Sequence, residues 1–138
     1  MFRGMAKNLE TKLKIESWDE KPYREFGDGR KFTKAEVVLG GDDKGIEKAT
    51  FESLMYYGAD GNAVYLSLME ITGTVDGRTG SFVLEGRGEY DGGVASGTYT
   101  VVPGSGTGEL AGITGEGSSS STHEDYPNMP FSLRYDLG

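Results

Sequence analysis

The sequence predicts an all-β fold, an eight-stranded antiparallel barrel built mostly as a meander, and three observations carry that prediction. Turn signals recur along the chain: Gly41-Asp-Asp-Lys-Gly45, Asp60-Gly61, Asp76-Gly77, Asp91-Gly92-Gly93 and Pro103-Gly104. Asp-Gly between apolar runs is the strongest short hairpin signal. The segments between the turns are long and rich in Val, Thr, Tyr and Phe, and Gly supplies 23 of the 138 residues while no convincing amphipathic helix pattern is present. Strands longer than the usual five or six residues twist strongly, and closing such a sheet on itself removes its exposed edges.

Taken in order, residues 1–8 are expected to be a flexible N-terminal tail, with Met5 an equally good start, and residues 9–138 a single barrel domain. Strands are expected near 9–18 and 33–40, then in the run leading to Asp60-Gly61, in NAVYLSLMEITGTV (62–75), in SFVLEGRGEY (81–90) and in the run closed by Pro103-Gly104. A helical turn fits 105–110, a short strand 112–118 and a last strand 131–137. Eight strands enclose room for packed side chains or one small ligand.

Two-residue turns fix the register, so faces can be followed from strand to strand. If Asp60-Gly61 is such a turn, Leu54 faces Ser67 and Glu52 faces Met69. The interior face then carries Glu52, Leu54, Tyr56, Tyr65, Ser67, Met69, Ile71, Phe82, Leu84, Tyr90, Tyr99 and Val101, with Gly86, Gly88 and Gly97 among them. Aromatics opposite glycines suit a tapering lumen. Phe51, Met55, Val64, Leu66 and Leu68 then form an outer apolar section, and such a patch marks a contact surface, so a homo-oligomer is expected.

With 22 acidic against 14 basic residues the chain carries a net charge of −8, which repels nucleic-acid phosphates and anionic lipid. Neither is an expected partner. Without Cys there is no disulfide, thiolate metal site or thiol catalysis, and without an apolar N-terminal run or a run of about eighteen apolar residues a cytoplasmic location is expected.

The order SWDEKPY (17–23), ESLMYY (52–57), LMEITGTVDGRTGSFVLEGRG (68–88), GTYTVVPGSGTGELAGITGEG (97–117) and SLRYDL (132–137) resembles an uncharacterised bacterial family that carries a domain of unknown function with an allene oxide cyclase-like barrel. The glycine segment is also similar to the GSG-x-x-x-AG-x-x-G turn of plant allene oxide cyclases and, more loosely, of dirigent proteins. The resemblance covers nearly the whole chain. It implies an eight-stranded barrel, often oligomeric, whose lumen can take a small apolar molecule. It does not carry an activity, because fold alone is a weak warrant for chemistry.

Glu52 is the first candidate for catalysis, as the lone carboxylate on the expected interior face, where burial would raise its pKa toward neutrality. Glu70, at the end of the row Val64-Leu66-Leu68-Glu70, is the second, although the register turns it outward and away from any dyad with Glu52. Leu54, Tyr56, Tyr65, Ser67, Met69, Phe82, Leu84 and Tyr99 form the expected ligand pocket, with Trp18 as a cap at one barrel end. His123 has no second histidine to complete a metal set and sits in the serine-rich SSSSTHEDYPNMP, read as a loop.

Gly106-Thr-Gly108-Glu-Leu-Ala111 fits the dinucleotide pattern G-x-G-x-x-G/A, but the following glycines forbid the helix that pattern must open. The segment is therefore expected to turn the chain, with Leu110 plugging one barrel end. No metal and no cofactor are expected. Three functions stay open: a barrel that binds a small apolar ligand, a cyclase or isomerase using Glu52 in the same lumen, and a filled barrel acting through assembly.

Overall fold

Eight strands close into one antiparallel barrel in the computed structural model, which describes residues 6–138. They are β1 (Lys7–Glu25), β2 (Lys31–Gly40), β3 (Ile46–Tyr57), β4 (Ala63–Val75), β5 (Arg78–Asp91), β6 (Val94–Val101), β7 (Thr114–Thr122) and β8 (Asn128–Asp136). Each strand pairs with its sequence neighbours, and β1 closes the ring on β8. The ring is uneven. The 19-residue β1 gives its first half to β8 and its second half to β2. Among the described residues no helix is long and apolar enough to cross a membrane.

The N-terminal boundary differs from expectation, since Lys7 pairs with Tyr135 and Asn8 with Arg134, both inside β1. Of the rest of the expected tail, Ala6 lies just before the strand and residues 1–5 lie outside the described residues. The serine run also differs. Ser118–Ser121 lie in β7 and pair with β6, with only 123–127 left as a connection to β8. Serine alternation across a half-exposed strand, with Thr at both ends, satisfies the ladder as well as a loop does.

The alternation of buried and exposed residues is regular on β2 to β6 apart from one slip between Ile46 and Lys48 on β3. On β4 and β5 the interior positions are those expected, with Met69, Ile71, Phe82 and Leu84 all buried. On β3 the faces are exchanged. Glu52 lies opposite Leu68 and Leu54 opposite Leu66, so Phe51, Ser53 and Met55 point inward while Glu52, Leu54 and Tyr56 belong to the outer face. The cause is the connection. Tyr57 pairs with Ala63 across a five-residue loop, in which the Gly58 N–H donates to the Asn62 carbonyl and the Asn62 N–H to Asp60 Oδ1. An odd loop in place of an even one moves every side chain to the other face.

The interior has two halves. At the end where β2–β3, β4–β5 and β6–β7 connect, Leu13, Leu39, Ile71, Phe82, Leu84 and Leu133 pack without water access. A single 3-10 turn, Gly108–Leu110, follows β6 and drives Leu110 into this end beside Ile113, each about 1% exposed. The glycine segment is thus a corner with a plug, as its sequence implies. Toward the other end the side chains part.

The glycine–aromatic fit is also as expected. Tyr65 lies across from Gly88 and Tyr99 across from Gly86. A Cβ added to Gly88 would stand 2.4 Å from the Tyr65 ring, and one added to Gly86 would stand 2.3 Å from the Tyr99 ring. Both rings lie flat on the strand that holds the glycine, which only a residue without a side chain allows.

Candidate functional site

β1 brings the polar chemistry into the barrel by breaking its own alternation. Leu9, Thr11, Leu13 and Ile15 turn toward the core, then the register slips by one residue between Ile15 and Ser17. This bulge at Glu16 sends the even positions inward, so Trp18 stands opposite Val37 and Glu20 opposite Ala35, both of which are buried on β2. Bulges re-aim side chains in this way.

Glu20 is half-buried and accepts three hydrogen bonds. Tyr57 Oη donates to its Oε2 at 2.6 Å, Thr33 Oγ1 to the same oxygen at 2.8 Å, and Trp18 Nε1 to Oε1 at 3.0 Å. Burial alone would raise its pKa, yet the three donors together hold the carboxyl below its ordinary value. The Tyr57 phenol is pushed the opposite way, by burial first and then by its bond to the Glu20 carboxylate. Lys31 on β2 places its ammonium 5.1 Å from the Tyr57 ring centroid and adds a favourable charge near Glu20.

Beside this cluster the open half of the barrel forms a cavity of about 480 Å³. Trp18, Phe51, Tyr57, Tyr65, Tyr90, Tyr99 and Tyr126 supply aromatic walls, and Ile15, Met55 and Met129 add apolar surface. The polar lining is sparse. Ser53 and Ser67 hydrogen-bond each other in the floor, Tyr65 Oη donates to the Ser96 carbonyl at 3.2 Å, and Tyr90 Oη meets His123 Nε2 at 3.2 Å near the mouth. Ser119, Ser121 and Thr122 complete one wall from β7. Trp18 is 47% exposed at the rim and packs edge-on against Phe51, with centroids 5.9 Å apart.

The expected site residues separate into three groups. Tyr65, Ser67 and Tyr99 line the cavity, whereas Met69, Phe82 and Leu84 lie in the filled half beneath it. Leu54 and Tyr56 lie on the outside, bordering a surface groove with Val64 and Leu66. Glu52 is corrected most sharply. Its side chain is 66% exposed and stands 3.9 Å from the Lys34 ammonium, on the outer wall. The exchanged faces of β3 are the reason. Glu70 faces outward as expected, between Thr50 and Val83. His123 pairs with Tyr90, and among the described residues no group of three or more His, Asp or Glu side chains is arranged to hold a metal ion.

The sequence reading missed Glu20, Thr33, Ser53 and Tyr57. The signal for the last two lay in β3, where Ser53 and Tyr57 share a parity with Phe51 and Met55, and where the alternative face buries an unpaired carboxylate. Glu20 sits beyond the expected end of the first strand, and nothing local announces the bulge before it.

Comparison with known proteins adds fold and family. The family model DUF3224, described as a protein of unknown function, matches residues 9–135. A crystal structure of a protein with unknown function from the DUF3224 family of Shewanella oneidensis MR-1 superposes with a TM-score of 0.68 at 22% identity, covering 94% of this chain and 97% of that one. No curated protein matches.

Proposed function

The chain belongs to the DUF3224 family of proteins of unknown function, and from this membership and its site we propose that it holds a small, mostly apolar molecule in the open half of the barrel. The observation that carries this reading is the cavity itself. About 480 Å³ lies within the 300–1,000 Å³ typical of ligand sites, and aromatic walls with a few convergent polar groups are the usual lining. Holding is favoured over proton transfer, because Glu52 lies outside, Glu20 is held ionised, and Tyr57 is held protonated. The filled half serves as the scaffold under the site.

Native mass spectrometry of protein purified from its own host tests this reading. A co-purifying mass is expected in the wild type and is expected to be lost in Ala95→Phe, which fills the lumen from β6, with the circular dichroism spectrum retained. Protein that carries no mass and binds no apolar probe, in wild type and variant alike, refutes it.

A second reading concerns assembly, and the outer wall supports it. Leu54, Val64, Leu66 and Leu68 are each more than half exposed on neighbouring strands, and Tyr23, Phe32 and Tyr56 continue the apolar strip. A contiguous exposed strip of this kind suits a second copy of the chain. Sedimentation velocity is expected to give an oligomer that Leu66→Glu with Leu68→Glu converts to monomer. A wild type that stays monomeric at high concentration overturns this reading.

A further inference from the structure

We propose that the lumen selects a protonated amine on an apolar body, with its ammonium group seated at the rim beside Tyr57 and Glu20. This inference rests on the lumen reading and deepens it. The first ground is a hydrogen-bond inventory of the wall. A phenol has one proton to donate and lone pairs to accept with. Tyr57 commits its proton to Glu20 and Tyr65 commits its proton to the Ser96 carbonyl. Both phenol oxygens are therefore left as acceptors, and a ligand that satisfies them must bring N–H or O–H donors.

The second ground is charge. The cavity lining contains no Lys and no Arg, so a carboxylate or phosphate entering it meets no fixed cation. A cation meets aromatic faces, with the Glu20 carboxylate behind Trp18 and Tyr57 rather than in the lining itself. Aromatic faces attract it through their quadrupole, most strongly where water is excluded. Trp18 and Tyr57 on the cavity wall both donate to Glu20, Phe51 packs on Trp18, and Glu20 keeps its negative charge through three donated hydrogen bonds. The net charge of −8 draws cations toward the protein before contact.

Lys31 is the opposing element. Its ammonium lies over the Tyr57 ring and near Glu20, and it does not line the cavity. It therefore weakens the field at the rim without occupying the ligand position. Removing it should strengthen amine binding.

Three probes of similar size test the proposal: phenethylammonium, phenethyl alcohol and 3-phenylpropionate. Binding is read by calorimetry and by the emission of Trp18, the single tryptophan, which stands on the cavity wall. The amine is expected to bind about tenfold more tightly than the alcohol, a ratio within reach of one desolvated cation–π contact, and the acid more weakly than either. Glu20→Gln and Tyr57→Phe are expected to remove most of the amine preference, bringing the amine and alcohol affinities together. Lys31→Met, which touches none of the three hydrogen bonds to Glu20, is expected to raise amine affinity several-fold, and it keeps the proposal testable if the other variants fold poorly. Equal binding of the three probes, or tighter binding of the acid, overturns the amine selection and leaves the lumen reading standing. Failure of all three to perturb Trp18 or release heat overturns the lumen reading and the selection together.

Discussion

Replacing Gly88 by Ala is the sharpest test of how the aromatic wall is seated. The new Cβ would stand 2.4 Å from Cζ and Oη of Tyr65 and 2.5 Å from the Ser96 carbonyl oxygen of β6. The ring can swing away only into the cavity, and the carbonyl can move only if β5 and β6 part. Overpacking in a close-packed site costs about 1–3 kcal/mol. With a backbone atom as one of the two clashes, the upper half of that range is expected, about 2–3 kcal/mol. Gly97→Ala is the control, because its Cβ meets only the end of Tyr65 at 3.2 Å and other atoms from 3.4 Å outward. There the gain of about 0.5–1 kcal/mol from replacing a strand glycine offsets the slight crowding.

Urea unfolding followed by Trp18 emission should therefore lower the midpoint for Gly88→Ala by about 1–2 M, taking a urea slope within the usual 1–3 kcal/mol/M. The midpoint for Gly97→Ala should stay close to wild type. Equal midpoints for the two variants would refute the claim that Tyr65 lies against bare backbone. Retained probe affinity in Gly88→Ala would refute the further claim that the displaced ring enters the cavity.

Two other outcomes follow from the same geometry. Leu110→Ala removes the plug of the filled half and should cost about 2–5 kcal/mol in thermal or chemical unfolding, with ligand affinity unchanged because the cavity lies in the other half. Glu20 makes stability depend on pH with a definite sign. Its carboxyl is held below the ordinary 4.5, so its contribution is present above that value and fades as the pH falls through the lower folded-state pKa. Glu20→Gln should accordingly be less stable than wild type near neutrality, and the gap should close on acidification; a gap that widens in acid would contradict the three hydrogen bonds assigned to the carboxylate.

The barrel was legible because its punctuation is strong. Asp76-Gly77 joins Val75 to Arg78 as a two-residue turn, and the faces of β4 and β5 follow from it. The next turn is centred on Gly92-Gly93 rather than Asp91-Gly92, yet the faces of β6 stayed right, because moving a two-residue turn by one position shifts the pairing by two. The loop Gly58–Asn62 was different in kind. Its Asp60-Gly61 imitates a two-residue turn, but the chain closes it from Gly58 to Asn62, and the odd count reversed β3. Hydrophobicity could not arbitrate, since both faces of β3 and β4 carry large apolar residues. The site was less legible than the fold for that reason and for one more. Its carboxylate depends on a bulge that leaves no trace in the local pattern.

That bulge gives β1 two reading frames. Up to Ile15 the odd positions speak to the core, and from Trp18 to the next slip after Pro22 the even ones do, with Glu16 as the unread residue between them. Removing Glu16 would merge the two frames into one continuous alternation and keep Ile15, Trp18 and Glu20 all inward. Straightening the bulge with the residue count unchanged would instead present Ser17, Asp19 and Lys21 to the lumen, replacing indole and carboxylate by a new vocabulary while leaving residues 9–15 and the plugged half untouched. One bulged residue thus decides what the mouth presents without renegotiating how the barrel holds together.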